Sequence, residues 1–398
     1  MADNLVQMAF SLAWNSQFVS HMDRSFFPKI NFWRDIFPDQ VELQLNKLQK
    51  EGHLDLELKA GSLVEPFVQS KSIHISNGRI NYKQRALENI QFGQGRFYPR
   101  GLLSDIGIPP QDHRPCRIIK NDGQDLQIDL NHPLSQYPIS LNAEIVDYLS
   151  EEHKRGGSSI DIGCELTENG PGLQGHLADI TTEFFNTDPF ARVDTQPDPQ
   201  FYQHPRLVNH VDEVASQHFA EIYGRFLKPG MKILDLMAAW NSHINLGKSE
   251  LHVTGLGLNQ EEQEKNPVLS DVVVQDLNQK PGLSFENETF DACICTVSIE
   301  YLIDPDAVFK EVGRVLKKGA PFIITFSDRW FDTKVTKLWT ELHPFERMGL
   351  VTTYFQKSEI FTELNTESIR GYPRLENDAH FPDRKESDPV FAVWGYRS

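Results

Sequence analysis

The stretch Asp235-Leu236-Met237-Ala238-Ala239-Trp240-Asn241-Ser242-His243 places a carboxylate, an indole, an amide, a hydroxyl and an imidazole in one short run. Asp235 is suited to offset a positive charge or accept hydrogen bonds, and the small residues Ala238 and Ala239 let backbone pass close to a ligand. The run contains no glycine, so it lacks the G-x-G-x-x-G pattern that brings backbone against a pyrophosphate, which disfavours an NAD or FAD site. Groups able to take up a proton are His243 in this loop, His210 upstream and Tyr301 downstream. Each has a structural alternative, and for Tyr301 that alternative is a packing ring with a hydrogen-bonded hydroxyl. Arg206 is suited to clamp a carboxylate through two parallel N–H groups, or to form an ion pair. Trp240 and Glu300 are candidates for the substrate side, with Trp330 and Phe331 as pocket or core aromatics. Cys293 and Cys295 share one face of an apolar strand and read as core.

The elements that must position these residues alternate. A helical run from Val211 to Phe226 leads to Lys228-Pro229-Gly230, and short apolar strands follow at Ile233–Leu236, His252–Leu258, Val272–Val274, Ala292–Val297 and Phe322–Phe326. Asp306 to Leu316 is an amphipathic helix, started by Asp304-Pro305-Asp306 and stopped by Gly319. Strands alternating with helices imply a parallel sheet covered on both faces, with Val390–Tyr396 pairing at its end. Ligands of such sheets sit beyond the carboxyl ends of the strands, where strand order reverses. That is where Asp235 to His243, Asn259, Asp276 and Leu277 fall.

The first 150 residues read differently. After an aromatic-rich stretch from Ser25 to Pro38, Val41, Leu45 and Leu48 share a helical face and Gly52 ends it. Leu54, Leu56 and Leu58 alternate as in a half-buried strand, as do Leu126, Ile128 and Leu130, and Ile139, Leu141, Ala143 and Ile145. Asn121-Asp122-Gly123 supplies a turn. Residues 1–150 are therefore expected to form a β-rich domain with a helix, and residues 201–398 the α/β domain. Between them, 151–200 carries ten acids, three bases and the loop clusters Gly156-Gly157-Ser158-Ser159, Asn169-Gly170-Pro171-Gly172 and Gln196-Pro197-Asp198-Pro199, the pattern of an irregular acidic connector.

Composition narrows the partners. The chain has 398 residues and a net charge of −17, so a phosphate backbone or an anionic lipid surface would repel it. A small-molecule substrate is expected, or a protein one, with no nucleic acid and no membrane. Four scattered cysteines make neither a disulfide framework nor a zinc pattern, and no metal site is expected. The opening residues lack a secretory pattern, which predicts a cytoplasmic protein.

The C-terminal part resembles the class I S-adenosylmethionine-dependent methyltransferases, in particular the type 11-like small-molecule group, which implies an α/β Rossmann-like fold with a mostly parallel seven-stranded sheet. The likeness is carried by Lys228-Pro229-Gly230, Ile233-Leu234-Asp235-Leu236, Val274-Gln275-Asp276-Leu277, Phe290-Asp291-Ala292 and Glu311-Val312-Gly313-Arg314-Val315-Leu316-Lys317-Lys318-Gly319. It implies S-adenosylmethionine as cofactor, held by Asp235, Met237, Ala238, Ala239, Asn259, Asp276 and Leu277, with Asp276 on the adenine side. Methyl transfer would then be an in-line displacement in which the protein aligns the acceptor and excludes water. Two departures fall on that site. The family's D-x-G-x-G is D-L-M-A-A here, and Gly257 stands where the family carries the acid that holds the ribose hydroxyls, leaving Asn259 to offer a neutral amide. A narrower subgroup is similar in D-L-M-x-x-W-x-S-H and in F-Y-x-x-P-R-L-V-x-H-x-D, matched by Phe201-Tyr202, Pro205-Arg206-Leu207-Val208, His210 and Asp212.

The N-terminal part resembles the FKBP-type prolyl isomerases, nearest the SlyD-like group, in Pro115–Ile119, in Asp129-Leu130-Asn131-His132-Pro133-Leu134 and in Ile139–Ile145. Ser135-Gln136 replaces that group's Ala-Gly, and its opening strand and Phe-Asp pocket pair are not found in the pattern. The resemblance implies an FKBP-like α+β domain that packs on the methyltransferase part or receives its substrate. Alternatives are a non-catalytic binding or folding-helper protein with both halves degenerate, and a prolyl isomerase whose C-terminal half is regulatory.

Overall fold

The computed structural model describes residues 5–76, 92–103, 107–149, 158–168, 170–177, 180–185, 187–246 and 250–398. They belong to two compact units, residues 1–189 and 190–398.

The first unit is built on two antiparallel sheets. Its strands are β1 (Leu5–Asn15), β2 (Val19–Asn31), β3 (His53–Leu58), β4 (Ser72–Ser76), β5 (Phe97–Pro99), β6 (Pro115–Asn121), β7 (Asp125–Asp129) and β8 (Ile139–Tyr148). One sheet runs β2-β1-β8-β3 and the other β4-β7-β6-β5. Along β1, Val6, Met8, Phe10, Leu12 and Trp14 alternate inward, which fixes its register, because a one-residue slip would put all five in water. Helices α1 (Asp39–Glu42) and α2 (Leu45–Glu51) bring Val41 and Leu48 onto that core, and Gly52 closes α2 at a left-handed φ of 80°. The Asn121–Gly123 turn joins β6 to β7, with Asp122 Oδ1 accepting from the Asp125 amide. The sequence pattern did not register β1 or β2; the aromatic stretch from Ser25 is largely the second half of β2.

The stretch expected as a connector, 151–200, does not stand apart in the structure. Helix α3 (Ile162–Thr167) sends Ile162 and Leu166 into the β1 core of the first unit, while residues 190–200 belong to the second. Ile160 packs against the same core, and Asp161 bridges to Ile36. Gly156, Gly157 and Asn169 of its expected loops lie outside the described residues.

The second unit is α/β. Its helices are α4 (Asp198–Phe201), α5 (Glu213–Gly224), α6 (Gln260–Lys265), α7 (Pro305–Val315), α8 (Lys337–Thr340) and α9 (Pro344–Ser358). Its strands are β9 (Lys232–Leu236), β10 (His252–Gly257), β11 (Leu269–Val274), β12 (Ala292–Thr296), β13 (Pro321–Phe326), β14 (Phe361–Arg370) and β15 (Val390–Arg397). In space they run β11-β10-β9-β12-β13-β15-β14, the first five parallel and β15 antiparallel to both its neighbours. The alternation predicts the parallel part of this sheet, and the resemblance implies its seven strands. One expectation is corrected: β15 does not end the seven but lies between β13 and β14. Strand β14 and helix α9 carry no clean period, because α9 is buried on most of its circumference. Strand order reverses between β9 and β12.

Helix α5 is anchored by a buried ionic knot. Asp212 caps it, accepting from Val214 N at 2.8 Å and Ala215 N at 3.1 Å. The same carboxylate accepts from Ser387 Oγ and from Asp388 N, and Arg374 bridges Asp212 at 3.3 Å and Asp388 at 2.7 Å. No helix among the described residues is long and apolar enough to cross a membrane. Asp212→Ala removes the cap and leaves Arg374 short of a buried partner, so it is expected to cost roughly 3 kcal/mol or more, read as a fall in the urea unfolding midpoint.

Candidate functional site

A cleft opens at the carboxyl edge of the second unit's sheet, where strand order reverses. Its walls come from the end of β9 with its loop (Asp235, Met237 to Asn241, His243), the end of β10 (Gly257 to Asn259), the loop after β11 (Gln275 to Asn278) and the end of β12 (Thr296 to Ser298). Tyr301 and Phe331 complete it, and residues of the segment 198–211 line its outer side.

The glycine-free loop takes a backbone path suited to glycine. Met237 sits at φ 61°, in the left-handed region that a side chain disfavours. The next amide, Ala238 N, donates to Leu256 O of β10 at 2.8 Å. This close approach explains Gly257: a Cβ built there would collide with the Ala238 carbonyl oxygen. His243, at φ 52°, and Val297, at φ 40°, are likewise left-handed, so strained backbone clusters around this cleft.

Asp235 is 2% exposed, and its Oδ2 has no hydrogen-bond partner. Burial pushes its carboxyl up to about 7, against the opposing influence of Ser242. Asp276 faces the cleft from the β11 side, with Oδ1 accepting from Asn278 N and Oδ2 from Gln279 Nε2, both at 2.9 Å. Leu277 beside it is buried.

Asn259 also lines the cleft, but both ends of its amide are engaged. Oδ1 caps α6 by accepting from Glu262 N at 3.0 Å, and Nδ2 donates to Tyr202 O at 2.8 Å. The sequence reading passed over Glu262, a cleft carboxyl raised by burial whose Oε1 accepts from Arg206 N at 2.5 Å. Its signal was present, because Asn259-x-x-Glu262 has the spacing of a helix capping box.

His243 is 9% exposed, with Nδ1 2.6 Å from Ser216 Oγ. Burial, helped by the charge of His210, lowers it to about 4, so it is neutral across the physiological range. His210 sits on the rim, edge-on to Phe331 at 5.2 Å. The Tyr301 hydroxyl accepts from Phe331 N at 2.9 Å and thereby positions that ring. Trp240 donates through Nε1 to Val208 O at 2.9 Å. Glu300 does not line the cleft. It is buried elsewhere with Oε2 unpartnered, is pushed up to about 8 by burial, and feels Arg347 as its nearby positive charge.

The segment 198–211 crosses the cleft as a strap tied to successive strand ends. Asn278 after β11 donates to Asp198 at 2.8 Å, Asn259 and Glu262 after β10 hold Tyr202 and Arg206, and Trp240 and Asn241 after β9 hold Val208 and Asn209. At its start, Asp198 pairs with Arg192 at 2.9 Å and with the fully buried Lys334 at 3.1 Å. Burial alone would raise Asp198, yet hydrogen bonds from Arg192, Asn278 and Lys334 hold it below its ordinary value.

Residues 242–324 match the methyltransferase domain family. The span begins after Asn241, so the glycine-free part of the loop lies outside it. Solved structures to which the chain is similar include a SAM-dependent methyltransferase from Methanosarcina mazei, at 18% identity over 44% of this chain and 96% of that one, with a TM-score of 0.30. A SAM-dependent methyltransferase from Archaeoglobus fulgidus is 12% identical over 46% of this chain and 92% of that one, TM-score 0.35. A Haemonchus contortus phosphoethanolamine N-methyltransferase in complex with S-adenosylhomocysteine is 14% identical over 44% and 51%, TM-score 0.31. No curated protein matches the chain.

Two substitutions separate required space from tolerated strain. Gly257→Ala is expected to displace the Ala238 carbonyl and to lower stability by about 2 kcal/mol or more. Met237→Gly relieves a left-handed side chain while loosening the unfolded chain, so its net effect is expected within about 1 kcal/mol of zero. Urea unfolding midpoints of the two variants check both signs.

Proposed function

We propose that the second unit is an S-adenosylmethionine-dependent methyltransferase acting on a small molecule. The observation that carries this reading is the convergence of Asp235, Asp276 and the tight Met237–Ala239 loop on one cleft at the point where strand order reverses. The methyltransferase domain match over residues 242–324 supports it.

The donor set suits the cofactor. S-adenosylmethionine carries an ammonium and a sulfonium, and Asp235 offers a buried carboxylate oxygen with no partner of its own. Asp276 and Leu277 would hold the adenine side, and Ala238 and Ala239 leave room for the amino-acid tail. Glu262 would accept from the ribose hydroxyls, a role that the capped Asn259 is less free to fill. Bound there, the cofactor supplies an already activated methyl group. The chain's own contribution is alignment and exclusion of water: the strap covers the cleft, Tyr301 fixes Phe331, and Trp240 anchors the strap's far end. His243 is a weak, neutral base that would take a proton from an acceptor that loses one readily, with His210 as the rim alternative.

For the first unit we infer an FKBP-like fold in an accessory role. The antiparallel β2-β1-β8-β3 sheet packed on α2 supports this, as does the turn before β8, where buried Asn131 accepts from Val68 N and Leu134 enters the core. A cavity of this unit mixes charged residues such as Lys71, Arg100, Asp161 and Glu168 with the apolar Leu63 and Val64, and among the described residues lacks the convergent aromatics that would hold a proline ring. The full chain is accordingly expected to leave the rate of a proline-limited refolding reaction unchanged, and a clear acceleration would favour the isomerase reading.

Calorimetric titration with S-adenosylhomocysteine tests the main reading. Micromolar binding that is lost in Asp276→Ala is expected; no heat at millimolar ligand from folded protein would remove it. Burial holds the Asp235 carboxyl protonated below about pH 7, whereas an ammonium favours the carboxylate. Affinity is therefore expected to rise as pH increases through 7, by up to about tenfold between pH 6 and 8, and to become flat in Asp235→Asn.

A further inference from the structure

We infer that Arg206 selects the methyl acceptor, and that the acceptor is a small molecule bearing a carboxylate. The inference rests on the methyltransferase reading of the cleft and narrows its substrate class. Among the described residues lining the cleft, the carboxyl groups are Asp198, Asp235, Glu262 and Asp276, and Arg206 is the one Lys or Arg. Asp198 is already neutralised by Arg192 and Lys334, which leaves three carboxyls suited to a cationic cofactor and a single guanidinium suited to something else.

The guanidinium is fixed in place. Its carbon lies 4.5 Å from the Phe201 ring centroid, 5.1 Å from that of Phe331 and 5.7 Å from that of Tyr202. Nη2 donates to Phe201 O at 3.1 Å, and the Arg206 amide is held by Glu262. Nη1, by contrast, is buried and has no hydrogen-bond partner. A buried N–H₂ of a charged group left unmade is costly, so an acceptor oxygen supplied by a ligand would be taken up strongly. Three rings set at steep angles to one another surround the guanidinium and restrict where the fork can point, which gives direction as well as charge.

Placement favours the acceptor over the cofactor's own carboxylate. The groups that suit the cofactor come from the ends of β9, β10 and β11. The Arg206 backbone is tied to Glu262 after β10, but its guanidinium packs among Phe201, Tyr202 and Phe331, and Phe331 follows β13 and is held by Tyr301 after β12, on the other side of the point where strand order reverses. One guanidinium matches one negative charge, so a monoanionic carboxylate fits better than a phosphate dianion.

The test uses the full chain saturated with S-adenosylhomocysteine and titrates it with benzoate and, separately, with benzyl alcohol as a neutral match. Benzoate is expected to bind roughly tenfold more tightly in the unmodified chain. That preference is expected to vanish in Arg206→Met, with S-adenosylhomocysteine affinity unchanged. Arg206→Gln, which keeps an amide donor for the Phe201 carbonyl, serves as the second variant if the methionine loosens the strap. No preference for benzoate in the unmodified chain would overturn the inference while leaving the methyltransferase reading intact. So would an Arg206→Met variant that loses S-adenosylhomocysteine affinity but keeps that for 5′-methylthioadenosine, because the guanidinium would then belong to the cofactor's carboxylate. Failure of S-adenosylhomocysteine to bind the folded, unmodified chain would remove the methyltransferase reading itself, and this inference with it.

Discussion

The cleft depends on one close approach, between the loop after β9 and the end of β10. Ala238 donates its amide to Leu256 and sets its carbonyl where a Cβ on residue 257 would have to go. With this contact go the left-handed turn at Met237 and the absence of a side chain at Gly257. The loop contains no glycine to make its path easy, yet it takes that path, with β10 holding the Ala238 peptide from the other side. Strain of this kind persists where surrounding structure over-determines the backbone, and here it borders a cleft.

Charge in the second unit is arranged by burial more than by number. Asp235 is buried with an unpartnered oxygen, and that burial raises its carboxyl toward neutrality. Burial would raise Asp198 as well, but hydrogen bonds from Arg192, Asn278 and Lys334 hold it below its ordinary value, and its contacts seat the strap. Two aspartates on the same cleft thus have opposite tendencies because one is paired and the other is not. The strap itself is knitted by side-chain amides to successive strand ends, so the geometry of the sheet edge fixes where Tyr202, Arg206 and His210 stand.

The sequence alone determined the alternation of strands and helices from Ile233 onward, the cap at Asp304, the turn at Asn121–Gly123 and the position of Asp235 and Asp276 at strand ends. These are legible because period, caps and turn chemistry are local: each is specified within a few residues. It also located most of the cleft's walls, since a parallel sheet places the residues after its strands on one edge whatever their identity.

Only tertiary structure decided the rest. That β15 lies between β13 and β14, that α9 is a helix buried on most sides, and that Ile162 and Leu166 belong to a core are outcomes of long-range pairing and burial, for which no short window carries a period. Asn259 reads as a ligand for ribose until its amide is seen to cap α6 and hold the strap, and Glu300 reads as a cleft residue until its side chain is found buried elsewhere. The unpartnered Nη1 of Arg206 is of the same kind. A sequence names the groups that can make hydrogen bonds, but which of them are left unmade depends on what the folded chain brings within about 3 Å.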